Sequence, residues 1–198
     1  MTTRSNRRKP AGGTQRSPAR PSATGSAMPL TISLPNLLAD GSDSEFRRLV
    51  HGLFAFLARH ESIRDGHAER IGLAGVEYTV LIAIAHLSKN TDVSVKTVAD
   101  HMRVSGTFIT RVVNRLIKLG LIQKKTFPLD RRRVQLTLLP AGRKLLHTLA
   151  PTQRKVNDLQ FGPLTTSEFQ MMISIIERLI ASSDQALALQ AYLKSLDE

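Results

Sequence analysis

The stretch VSGTFITRVVNRLIKLG, residues 104–120, decides how the chain is read. Ser105 stands where a hydroxyl accepts the orphan N–H groups of a first helical turn. Gly120 stands where helices end in a left-handed residue. Between them Ile109, Val112, Val113, Leu116 and Leu119 recur along one helical face. Thr107, Thr110, Arg111, Asn114, Arg115 and Lys118 fall mainly on the other. A short helix over about Val95–Met102 precedes this one across a four-residue turn. That is a helix-turn-helix, an arrangement whose second helix enters a major groove.

The sequence on either side extends the pattern. Leu121–Thr126 alternates weakly, as a strand does, and Val134, Leu136 and Leu138 alternate with period 2. Between them Phe127-Pro128-Leu129-Asp130-Arg131-Arg132-Arg133 supplies turn chemistry and three arginines. The expected product is a hairpin with an arginine-bearing tip directly after the polar-faced helix. Such a wing suits a narrow minor groove, where negative potential favours guanidinium groups.

Charge is distributed to match. The 198 residues carry 28 Lys and Arg against 16 Asp and Glu, a formal net charge of +12. Residues 94–133 hold ten bases and two acids, while residues 1–30 hold six bases (Arg4, Arg7, Arg8, Lys9, Arg16, Arg20) and no acid. The remainder is nearly neutral, so the excess marks a tail and one window and points to an anionic partner, foremost nucleic acid. The tail is rich in Ser, Thr, Pro, Gly and Arg and is read as disordered. Either it is a solvated extension, or it is an arm that meets phosphate or a minor groove.

The other elements are helical. Helix one runs from Ser44 to about Arg64, with Phe46, Leu49, Val50, Leu53, Phe54 and Leu57 on one face, and Gly66 and Gly72 bracket a loop. Helix two spans Gly75 to Ser88 and buries Tyr78, Leu81, Ile82 and Ala85. Pro140 opens a helix reaching about Leu159, and Thr165-x-x-Glu168 is a capping box for another reaching about Leu193. The stripe Phe169, Met172, Ile173, Ile176, Leu179 and Ile180 is too broad for a lone surface helix. It packs in the monomer core or, the better fit for a groove-reading pair, in a two-fold interface.

The expected organisation is a basic tail (1–30), an N-terminal segment and dimerisation helix (31–64), a winged helix-turn-helix lobe (73–140) and C-terminal dimerisation helices (141–196). The fold class is mainly α with a small β-hairpin wing.

Several chemistries are excluded or disfavoured. There is no cysteine, hence no disulfide, thiolate zinc site or thiol nucleophile, which fits a reducing cytoplasm. None of the six histidines has His-x3-His spacing, and no Gly-x-Ser-x-Gly elbow or phosphate-binding Gly-Lys-Ser/Thr loop occurs. No enzyme, metal or cofactor is expected, and no apolar run has the length of a membrane span.

From Phe46 to Leu193 the sequence resembles the MarR family of winged-helix transcriptional regulators, most closely where VADHM (98–102), ITRVVNRLIKLGLI (109–122), PLDRRR (128–133) and PAG (140–142) follow in order. The resemblance implies a homodimer whose terminal helices pair, each lobe reading half of an inverted repeat in double-stranded DNA. It further implies a repressor released by a small anionic ligand, aromatic or of acyl-coenzyme A type, bound between lobe and dimerisation helices. DNA contacts would come from Ser105, Thr107, Thr110, Arg111, Asn114 and Arg115, and from Asp130, Arg131, Arg132 and Arg133 of the wing. His51, Arg59, Tyr78 and His86 are the polar candidates for the ligand. Ala74 and Leu139 depart from the family by lacking a capping hydroxyl. The competing reading is a DNA-architectural protein that uses lobe and tail without sequence preference.

Overall fold

A computed structural model describes residues 28–127 and 130–197, without the side chains of Phe127 and 130–133. The tail to residue 27 and the side-chain roles expected of Asp130, Arg131, Arg132 and Arg133 lie outside the described residues. The chain divides into two units, Met1–Gly52 and Leu53–Glu198.

In the first unit, a single 3₁₀ turn at Pro35–Leu37 leads to a two-residue reversal. Ala39 and Ser42 exchange backbone hydrogen bonds of 2.9 and 2.8 Å around Asp40 and Gly41. Those two residues hold positive φ, 51° and 75°, which the primed hairpin turns require and an Asp-Gly pair adopts readily. The buried Asp43 carboxylate then accepts from the N–H and hydroxyl of Thr31 at 2.9 and 2.7 Å. It also pairs at 2.9 Å with Arg47, whose guanidinium reaches the Pro29 carbonyl at 2.7 Å. Hydrogen bonds from Arg47 and Thr31 hold this carboxyl far below its ordinary pKa.

Helix α1 (Ser44–Arg70) is a turn and a half longer than its expected end at Arg64, and Gly66 lies inside it. A mid-helix glycine costs about 1 kcal/mol. Burial of His67 and Ala68 one and two residues later outweighs that cost. The helix closes instead at Gly72 (φ 71°), where Leu73 N–H bonds the Ala68 carbonyl and Gly72 N–H the Glu69 carbonyl, both at 3.0 Å. This is a Schellman closure, with the buried Leu73 against Ala68.

The second unit continues with α2 (Gly75–Leu87), α3 (Val95–Met102), α4 (Gly106–Lys118), strands β1 (Ile122–Phe127) and β2 (Asp130–Leu138), α5 (Pro140–Phe161) and α6 (Thr166–Leu196). Helix α2 is apolar on nearly every side and buries Tyr78, Val80, Leu81, Ala83 and Ile84 at the centre of the core. Around it pack Val98, Ile109, Val113, Leu116, Ile122, Leu136 and Leu149. Each such aliphatic side chain contributes about 1.5–3 kcal/mol on burial.

The hairpin pairs Ile122 with Leu138 and Thr126 with Val134, then shifts register so that Phe127 faces Asp130. The expected turn over Phe127–Arg133 is therefore shorter, and the backbone of 131–133 is strand. The hairpin is fixed at its base, because Leu136 N–H bonds the Val93 carbonyl at 2.7 Å and Leu139 N–H the Leu121 carbonyl at 2.9 Å. Gly142 permits that approach, since a Cβ there would lie 2.3 Å from the Leu121 oxygen.

The long helices keep apolar rows outside the core. Leu53, Phe54 and Leu57 of α1 are exposed, as are Phe169, Ile173, Ile176, Leu179 and Ile180 of α6. Helix α6, 31 residues and so about 46 Å long, has no buried residue in the single chain.

Candidate functional site

Helix α4 is built as its sequence dictates. The Ser105 hydroxyl accepts the Phe108 N–H at 3.2 Å. At the far end Gly120 (φ 69°) closes the helix, with Leu121 N–H on the Leu116 carbonyl and Gly120 N–H on the Ile117 carbonyl. Ile109, Val112, Val113 and Leu116 face the core. Leu119, expected on that face, is the C-cap residue and is exposed. It falls one turn beyond the packed segment, where the chain already swings toward β1.

Thr107, Arg111, Asn114 and Arg115 stand exposed on the opposite side, and Thr110 is partly buried with its hydroxyl on the Gly106 carbonyl at 2.8 Å. Two of these side chains are held by neighbours. Asn114 accepts from Lys124 of β1 at 3.1 Å, and Arg115 pairs with Glu77 of α2 at 3.4 Å.

The connection from α3 to α4 takes three residues, Arg103–Ser105, rather than four. It closes in the same manner as the other helix ends, but with Arg103 in the left-handed position (φ 54°). Val104 N–H bonds the Ala99 carbonyl at 3.1 Å. A residue with a Cβ there costs about 1–2 kcal/mol. The Arg103 guanidinium meets Asp184 of α6 at 3.2 Å, tying the turn to the long helix.

A cavity of about 240 Å³ lies where α1, α2 and α5 meet. Its walls are His60, Ile63, Arg64 and His67 of α1, Tyr78, Thr79 and Ile82 of α2, and Gln153 and Asn157 of α5. Gln153 donates to the Tyr78 hydroxyl at 2.9 Å, leaving the phenolic proton available to an acceptor. Burial raises the Tyr78 pKa, so the hydroxyl stays a neutral donor. His67 Nε2 is buried with no hydrogen-bond partner among the described residues. Arg64 donates to Glu61 and Asp65 at 2.9 and 3.0 Å. An anion binding Arg64 thus meets a cation already half satisfied.

Of the four sequence candidates for a ligand site, Tyr78 lines this cavity. His51 belongs to the first unit, the Arg59 guanidinium bonds the Ala55 carbonyl of its own helix, and the His86 ring lies 6.2 Å from that of His101. The residues missed, His60, Ile63, Arg64 and His67, share one helical face at i, i+3, i+4 and i+7. That pattern was readable, but ending the helix at Arg64 hid its last member. Among the described residues no three His, Asp or Glu side chains gather as a metal site. No single described helix is long and apolar enough to cross a membrane.

Residues 71–133, from the end of α1 to the arginines of β2, match the MarR family model. NicR of Pseudomonas putida, an HTH-type transcriptional repressor, is 26% identical over 130 residues, which is 65% of this chain and 79% of that protein. Among solved structures, the transcription regulator MarR from Oenococcus oeni aligns with a TM-score of 0.59 at 19% identity, over 67% of this chain and 98% of its own. BpsR of Bordetella bronchiseptica, whose DNA binding is regulated by 6-hydroxynicotinic acid, aligns with a TM-score of 0.54 at 24% identity, over 67% and 98%. These two likenesses are likenesses of fold.

Proposed function

We infer that this MarR family regulator, whose family domain spans residues 71–133, is a cytoplasmic repressor. It reads duplex DNA as a two-fold dimer and releases it on binding a small aromatic acid. The observation that carries the reading is α4 itself. It is a capped helix with a packed apolar face and an exposed Thr107, Arg111, Asn114, Arg115 face, followed at once by an antiparallel hairpin. In this reading Arg111 and Arg115 meet the major groove, Ser105 fixes the start of the helix, and Arg132 of the wing enters a minor groove. Arg131 and Arg133 flank it, and Asp130 orients it through a charge-assisted hydrogen bond.

The exposed apolar rows of the long helices support the dimer. The exposed rows of α1 and α6 are apolar over too great a length for a soluble single chain, and a second copy covers both. Residues 73–140 then form the reading lobe, and residues 31–64 and 141–196 pair with the partner.

The cavity supports the ligand class. Roughly 150 Å³ holds a benzene ring, so 240 Å³ suits one substituted ring. The Tyr78 proton, His67 Nε2 and Arg64 offer a neutral donor, a nitrogen and a cation. That set matches a ring bearing a carboxylate and a second polar substituent, and the ligand of BpsR is of that kind.

The test is a thermal-shift screen of the purified protein against monocyclic aromatic acids, 6-hydroxynicotinic acid and benzoic acid included. Hits are then added to the protein bound to a duplex selected from a random pool. A compound that raises the melting temperature and frees the DNA supports the reading. A protein that binds DNA but is neither stabilised nor released by any such acid contradicts the ligand class. Equal affinity for every duplex supports the architectural alternative.

A further inference from the structure

Glu77 occupies a position that its sequence context does not announce. Its Oε2 accepts the Ala74 N–H at 2.9 Å, the return half of a capping box. Ala74 has no side-chain acceptor, so among the described residues Glu77 is the side chain that caps the start of α2. That bond fixes the carboxylate, whose side chain is only 15% exposed. Oε1 is then presented to α4, where it pairs with Arg115 Nε at 3.4 Å. Engaging Nε leaves both terminal nitrogens of Arg115 unclaimed by Glu77, on a side chain 61% exposed. Arg111, one helical turn earlier, lines the same open groove as Ala74, Glu77, Phe108 and Arg115.

We propose that Glu77 is a positioning and specificity residue for DNA recognition, aiming the Arg115 guanidinium and restraining its charge. The proposal rests on α4 being the helix that reads DNA. An unrestrained arginine reaches for any phosphate, which raises non-specific binding. A guanidinium paired at Nε loses part of that freedom and presents its two terminal nitrogens as a fork, the geometry that reads a guanine edge. The anchored carboxylate also offsets one positive charge beside the groove-facing helix. Both effects lower the background against which a specific site is read.

Position within α2 gives the pair a second consequence. The next residue, Tyr78, bonds Gln153 of α5 and lines the cavity. One rigid helix therefore carries the cavity wall on one side and the support of Arg115 on the other. A ligand that turns or shifts α2 moves both.

The experiment is a double-mutant cycle of Glu77→Gln and Arg115→Lys, measuring binding to a pool-selected duplex and to a scrambled one at fixed salt. Gln keeps an oxygen for the Ala74 N–H, so the cap is retained. Lys keeps the charge of Arg115 and lacks Nε. Glu77→Gln is expected to lower the specific-to-non-specific ratio by about 2- to 5-fold, the range for an exposed ion pair. It is expected to lower it no further in the Arg115→Lys background. If Glu77→Gln proves unstable, Ala74→Ser in the same background restores a side-chain cap, and the specific-to-non-specific ratio must still fall.

An unchanged ratio, or the same fall in both backgrounds, overturns the positioning role while leaving α4 as the reader. A wild-type protein that selects no duplex overturns both.

Discussion

Gly142→Ala is a stringent test of how the winged unit is joined to α5. A methyl at this position lies 2.3 Å from the Leu121 carbonyl oxygen and 3.2 Å from its carbon. Non-bonded Cβ contacts below 3.0 Å are essentially never seen, so backbone must retreat by roughly 0.7 Å, an overpacking that costs about 1–3 kcal/mol. The same oxygen accepts the Leu139 N–H at 2.9 Å. Its displacement loosens that bond, at a further cost of about 1 kcal/mol. Alanine returns about 1 kcal/mol through helix propensity. The net expectation is a loss of about 1–3 kcal/mol, read by urea unfolding at one fixed protein concentration, because the stability of the proposed dimer would depend on concentration. Gly66→Ala is the control. It lies inside α1, its Cβ meets nothing within 4 Å, and it should gain up to about 1 kcal/mol. If Gly142→Ala is as stable as wild type, the close approach of α5 to the hairpin base is wrong.

Three further substitutions or titrations address other parts of the account. Arg103→Gly relieves a left-handed strain of about 1–2 kcal/mol and loses an exposed ion pair to Asp184 worth about 0–1 kcal/mol. The variant should have a higher urea midpoint, and a lower one would mean that the tie to α6 dominates. Asp43 is held ionised by Arg47 and Thr31, so its folded pKa is depressed. Its contribution is full above the unfolded aspartate value of about 3.9 and is lost as pH falls toward the folded value. The Thr31 amide should therefore keep its NMR shift and exchange protection down to pH 4 and lose both in stronger acid; loss between pH 5 and 7 would contradict the clasp. Tyr78→Phe keeps the ring and removes the donor, so affinity for an aromatic-acid hit should fall roughly 5- to 10-fold. Calorimetry showing undiminished affinity would place the ligand elsewhere, and DNA affinity should not change.

The helix-turn-helix window was legible because its signals are local. Ser105 caps, Gly120 closes, and the 3.6-residue period between them places Ile109, Val112, Val113 and Leu116 on the core face. Where non-local packing overrides local preference, the sequence misleads. Gly66 reads as a breaker, yet burial of its neighbours carries α1 through it to Arg70. Pairing with β1 extends β2 to Asp130, into residues that read as turn. The cavity was the least legible feature, since its walls come from three helices and only Tyr78 stood out as a buried polar group. Arg59 and His86 carried chemistry but are not among the residues that line the cavity. Glu77 was hidden for another reason. A capping box is sought from its Ser or Thr, and Ala74 supplies neither.

The most direct measurement is selection of duplexes from a random-sequence pool by the full-length protein, followed by determination of the protein-to-DNA stoichiometry on the enriched sequence. The expected product is an inverted repeat with half-site centres about one helical turn, some 10 base pairs, apart. Two chains should bind per duplex, and enrichment should vanish for Arg111→Ala. Enrichment of no sequence, or of a single asymmetric site bound by one chain, would contradict it.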